Sequence, residues 1–125
     1  WAQMRAAVGF FLACLYCNSP RVCVENPVPF AESRALVGEY TQIVQPYMFG
    51  HPVTKRTALW LRGLPPLVPA GNALPREKAS TCRSNNENGQ SDRWRPAKRS
   101  ITYAGIARAM AEQWGSDLTP NTNSA

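Results

Sequence analysis

The stretch Val22-Cys23-Val24-Glu25-Asn26-Pro27 decides how this chain is read. A short apolar run with β-branched residues stops abruptly at a carboxylate, an amide and a proline. Residues 21–25 read as a strand. Their apolar side chains do not alternate with polar ones, which fits a strand covered on both faces, as in a parallel sheet. In open parallel α/β sheets the chemistry lies just beyond the carboxyl ends of the strands. Glu25 and Asn26 are therefore the first candidate site residues. The plainer alternative is a surface loop after a buried strand, with Glu25 capping a turn or pairing with Arg21 or Arg56.

The flanks give the fold class. Upstream, Met4, Val8, Phe11, Leu12 and Leu15 recur with helical spacing, predicting an amphipathic helix over 2–16. Asn18-Ser19-Pro20 is a turn. Helix, turn and buried strand in that order form half of a βαβ unit. Downstream, a short helix is expected over 30–37, closed by Gly38. Further strands are expected over 41–45 and 57–61, separated by the aromatic loop Tyr47-Met48-Phe49-Gly50-His51-Pro52. A last helix is expected over 103–114, with Thr102 as N-cap and Ile106, Met110 and Trp114 on one face. Strands alternating with helices predict an α/β fold. The strand count is low for a complete doubly wound sheet. With Trp1 starting almost inside a helix, the expectation is part of a larger domain.

Charge is unevenly spread. The chain has 125 residues and a net charge of +6. Residues 66–98 are rich in proline, asparagine and serine and read as a long irregular excursion. The interval from 76 to 99 carries seven basic residues (Arg76, Lys78, Arg83, Arg93, Arg95, Lys98, Arg99) against three acidic ones. Such a surplus suits a polyanion, and equally a solvated loop. Residues 116–125 read as a flexible tail.

The four cysteines are Cys14, Cys17, Cys23 and Cys82. Cys14-x-x-Cys17 has no second C-x-x-C or C-x-x-H to complete a zinc site, and His51 is the only histidine. Buried free thiols in a reducing compartment are expected. Residues 6–17 are apolar but too short to span a bilayer, so the expectation is a cytoplasmic protein without a membrane partner. There is no P-loop, no G-x-G-x-x-G after a strand, no G-x-S-x-G and no H-E-x-x-H.

An ordered set of local motifs remains. Val24-Glu25-Asn26-Pro27 is followed by the segments 42–52 (QIVQPYMFGHP), 55–65 (KRTALWLRGLP) and 99–115 (RSITYAGIARAMAEQWG). Together, over 1–65 and 99–115, they resemble the C-terminal half of phage and prophage proteins related to DNA cytosine-5 methyltransferases. The resemblance implies a partial Rossmann-like, methyltransferase-type sheet with flanking helices. It also implies a bacterial host cell as the location. Glu25-Asn26 is similar to the family's E-N-V motif, with Pro27 in place of the valine. There the glutamate holds the Watson–Crick edge of a flipped cytosine and assists protonation of its ring. Such a base must leave the duplex to react, and the carboxylate gripping it should be partly buried. Lys55 and Arg56 resemble a loose form of the family's later basic segment, which contacts the target nucleotide. Together with Arg93, Arg95, Lys98 and Arg99 they are the candidate DNA-binding residues.

The family's nucleophile is a cysteine following a proline, and none of the cysteines here follows one. Its Gly-rich turn for S-adenosylmethionine has no counterpart here either. The resemblance therefore implies DNA as partner and S-adenosylmethionine as cofactor of an intact relative. For this chain by itself it implies no cofactor and no turnover, and it leaves room for a second chain supplying the missing half. Two other readings stay open, a non-catalytic DNA-binding protein and a phage protein turned against a host factor.

Overall fold

A computed structural model describes residues 1–81 and 102–115. These fall into two compact units. One comprises residues 1–44 and 56–66, the other residues 45–55 and 67 onward.

In the first unit, helix α1 (Ala2–Leu15) buries Phe11 and Leu15. Met4, Val8 and Leu12 on the same stripe are half-buried, as the spacing predicts. The helix ends at Tyr16, leaving carbonyls without helical partners. Arg62 fills that gap: its Nε donates to the Leu15 carbonyl at 2.8 Å and its Nη2 to that of Cys17 at 2.6 Å.

Strand β1 (Val22–Pro27) is followed by helix α2 (Ala31–Val37), strand β2 (Gln42–Val44), strand β3 (Val53–Thr54) and strand β4 (Thr57–Arg62). Three of these make one sheet in the order β1-β4-β2. β1 runs antiparallel to β4 over its whole length, Val22 opposite Arg62 and Pro27 opposite Thr57. β2 is also antiparallel to β4, with Val44 opposite Thr57. β1 and β2 therefore run parallel to each other, with α2 in the connection between them. The chain is mixed α/β, as expected, but β1 does not pair with a parallel neighbour. An apolar run reports burial; strand direction depends on which strand completes the hydrogen bonds, and here that is β4.

One side of this sheet carries the core of the unit: Val22 from β1, Ala58 and Trp60 from β4, and Phe11 and Leu15 from α1. Trp60, 3 % exposed, is its centre. The Phe11 and Tyr40 rings meet it edge to face at 4.8 and 6.0 Å. Its indole N–H donates to the Gly38 carbonyl at 3.0 Å, so the buried ring loses no hydrogen bond. Gly38 closes α2 with φ 90°, a conformation that other residues rarely adopt.

The second unit begins with a 3₁₀ turn at Pro46–Phe49 that ends at Gly50 in the left-handed region, φ 91°. The left-handed backbone is what favours glycine at this position. β3 pairs in parallel with a further strand, β5 (Ser80–Thr81), which follows a 3₁₀ turn at Arg76–Lys78. The stretch 66–98 is thus not irregular throughout: its start carries a turn and a strand, specified by β3 rather than by local sequence. The last helix, α3 (Ala104–Gly115), buries Ile106, Ala109 and Trp114, while Met110 is only half-buried. The expected tail at 116–125 lies outside the described residues, as does most of the basic stretch.

Candidate functional site

Glu25 and Asn26 lie inside a strand, not beyond its end. β1 continues through Pro27, so both residues take part in the pairing with β4, Glu25 opposite Leu59 and Asn26 opposite Ala58. Consecutive strand residues point to opposite faces. Asn26 therefore shares a face with Val22 and Val24, the face that carries the core, whereas Glu25 shares the other face with Cys23. Both side chains are exposed. The expectation of a partly buried carboxylate is overturned, because the exposed end of β1 has left the core by Glu25. A single ligand group on one face meets Glu25 or Asn26, not both.

The thiol of Cys23 is the group this arrangement alters. Burial, and then the nearby Glu25 charge, push it up to about 11. Cys14 and Cys23 are half-buried and Cys17 is exposed; all three are free thiols. The expectation of free cysteines holds for these, but full burial does not: the C-terminal end of α1 opens toward solvent beyond Leu15. Cys82 lies outside the described residues.

Of the basic candidates, Lys55 and Arg56 adjoin in sequence but belong to different units. Lys55 is half-buried, with Nζ 6.0 Å from the centre of the Tyr103 ring. Arg56 is exposed. Arg93, Arg95, Lys98 and Arg99 lie outside the described residues.

His51 is the residue whose place the sequence did not reveal. Its Nε2 accepts the backbone N–H of Gly105 at 2.9 Å, and its ring lies 5.3 Å from that of Tyr103. Gly105 opens the first turn of α3, where backbone N–H groups lack helical partners. The imidazole therefore accepts a first-turn N–H of the helix from a distant part of the sequence. The acceptor role puts the ring proton on Nδ1. Gly105 is required at this contact, because a Cβ there would fall on the Phe49 carbonyl oxygen and close to Nε2. The signal available in the sequence was the recurrence of Phe49-Gly50-His51 and Tyr103-Ala104-Gly105 as two conspicuous motifs; nothing local said that they meet. Next to this loop, Gln45 Oε1 is buried with no hydrogen-bond partner among the described residues.

Among the described residues no group of three or more His, Cys, Asp or Glu side chains is placed to hold a metal ion. No helix among them is long and apolar enough to cross a membrane. Comparison with family models, with curated proteins and with solved structures gives no match.

Proposed function

We propose that this chain is the target-base side of a DNA cytosine-5 methyltransferase-like protein of phage type, inactive alone and associated with DNA. The observation that carries the reading is the sheet. β1 and β2 run parallel with α2 between them, and β4 lies antiparallel between the two. A parallel pair linked through a helix is the building unit of doubly wound sheets. Such sheets also accept antiparallel strands. The finer description, a partial Rossmann-like sheet of the methyltransferase type, belongs to this proposal.

In this reading the exposed Glu25 holds the extruded base and Asn26, on the opposite face, steadies the strand end. Lys55, Arg56, Arg93, Arg95, Lys98 and Arg99 neutralise phosphates. S-adenosylmethionine would be held by a second chain or by further sequence. β1 is the place for such an addition, since it has β4 on one side and no strand on the other among the described residues. In this reading α1, packed on the sheet just before β1, would serve as the crossover helix from an added parallel strand.

Two measurements test the proposal. Calorimetry of the chain with S-adenosylmethionine should give no heat of binding; clear binding would place the cofactor site within these residues and overturn the half-site reading. Fluorescence anisotropy with duplex DNA should show weak, salt-dependent binding. If all six basic residues touch phosphates, log K falls with log salt by a slope of about −5. A slope near zero would remove the DNA assignment. The absence of a Pro-Cys pair in the sequence favours one second reading, a non-catalytic DNA-binding protein, which would bind DNA equally well but never transfer a methyl group when the missing half is supplied.

A further inference from the structure

We infer that Cys14 and Cys17 form a dithiol site that exchanges with small disulfides, Cys17 attacking first and Cys14 then closing an internal Cys14–Cys17 bond. The proposal goes beyond the methyltransferase-like reading and does not depend on it.

Every part of the site lies within the first unit. Cys14 is on the last turn of α1 and Cys17 stands just beyond it. The chain tightens there: the Cys17 N–H donates to the Cys14 carbonyl at 3.4 Å, three residues back, with Tyr16 between them at φ −105° and ψ 23°. Across a helical turn of this kind the first and fourth Cα atoms stand about 5–6 Å apart, and their side chains leave from the same side. A disulfide needs Cα atoms about 4.4–6.8 Å apart. The turn is also held at its exit. The Cys17 carbonyl accepts from Arg62 Nη2 at 2.6 Å and from the Ser19 N–H at 2.8 Å. Arg62 Nε holds the Leu15 carbonyl, between the two cysteines, at 2.8 Å. The backbone therefore keeps both cysteines at bridging distance before any bond joins them.

Exposure assigns the order of events. Cys17 is exposed and Cys14 half-buried, so an incoming disulfide R–S–S–R meets Cys17 first. The Cys17 thiolate attacks one sulfur, the S–S bond breaks, and the departing R–S⁻ takes up the proton that Cys17 released. Cys14 then releases its proton and attacks the Cys17 sulfur, expelling the second R–S⁻. In sum, two thiols are oxidised to one disulfide and R–S–S–R is reduced to two R–SH. Excess R–SH runs the same steps backwards. Cys23 stays out of the exchange, because its thiol, pushed up to about 11, keeps its proton near neutrality. A structural zinc ion takes four ligands, and among the described residues no third His, Cys, Asp or Glu side chain joins this pair in a metal-holding group. Two sulfurs on one turn suit exchange with a disulfide instead.

The test uses glutathione as the probe. The full chain, and its C82S variant, are equilibrated with mixtures of reduced and oxidised glutathione, quenched in acid and cut with trypsin for mass spectrometry. Cleavage after Arg5 and Arg21 releases residues 6–21, which hold Cys14 and Cys17 and no other cysteine. In both proteins this peptide should lose two hydrogens as oxidised glutathione rises and regain them with dithiothreitol. C14A should stop at a single glutathione on Cys17, with complete loss of the internal bond. The bond should close at a lower proportion of oxidised glutathione in the folded chain than in urea, because the turn is already formed. Two glutathiones on the peptide without an internal bond, two thiols left free, pairing of Cys17 with a cysteine other than Cys14, or equal closure in urea would each overturn the proposal.

Discussion

Replacing Gly105 by alanine should destabilise the protein, although the same replacement normally helps a helix. An alanine inside a helix is favoured over glycine by at most about 1 kcal/mol. At Gly105 the new methyl group would fall on the Phe49 carbonyl oxygen and lie against the His51 ring. A backbone carbonyl cannot swing away as a flexible side chain can, and overpacking of this kind costs about 1–3 kcal/mol. Moving His51 also weakens the hydrogen bond from the Gly105 N–H, worth about 1 kcal/mol. The net expectation is a loss of about 1–3 kcal/mol. Gly9 supplies the control: it lies within α1, and a Cβ there meets nothing within 4 Å. G9A should therefore stabilise by about 1 kcal/mol. Urea denaturation followed through far-ultraviolet circular dichroism and tryptophan fluorescence, to which the buried Trp60 and Trp114 both contribute, measures both variants. The reasoning fails if G105A stabilises as G9A does, because the loop carrying His51 would then not be seated on α3.

Three further outcomes follow from the first unit and its thiols. W60F keeps an aromatic ring in the core but removes the donor to Gly38, so it should cost about 1–2 kcal/mol in a denaturant titration and leave the Gly38 carbonyl short of a partner. R62K keeps the charge but not the two-pronged geometry that reaches the Leu15 and Cys17 carbonyls, and should speed amide exchange at the end of α1. The Cys23 thiol stands at about 11 in the folded chain against an ordinary value of 9.0. Between those values the unfolded chain has lost the proton that the folded chain still holds, so stability declines as pH rises from about 9 to about 11. C23A should flatten that decline, and an unchanged alkaline profile would contradict the burial assigned to this thiol.

Much of the fold was legible in the sequence because its signals are local. The helical stripe from Met4 to Leu15, the stop at Gly38, the apolar run of β1 and the helix ending at Gly115 each follow from short-range periodicity or from the backbone demands of glycine and proline. The position expected for Glu25 and Asn26, just beyond a strand end, differs from the observed one where it depended on a neighbour. Residues 22–27 specify an extended segment, but only β4 determines that the segment is antiparallel, that it reaches Pro27, and that Glu25 and Asn26 consequently face opposite ways.

The same division separates the candidate site from its surroundings. That Gly38 closes a helix and that Asn18-Ser19-Pro20 turns were properties of the residues themselves. That His51 should accept the Gly105 N–H, at the start of a helix more than 50 residues away, was not, since a hydrogen bond with a separation of 54 residues leaves no periodic trace. The sequence by itself determined the helices and the longer strands, because those preferences are set within one or two turns of chain; the short strand β5 was decided by its pairing with β3. The tertiary structure alone decided strand direction, the face on which each polar residue emerges and the partner of the single histidine, because backbone hydrogen bonds and side-chain caps are completed by whichever group folding brings within about 3 Å.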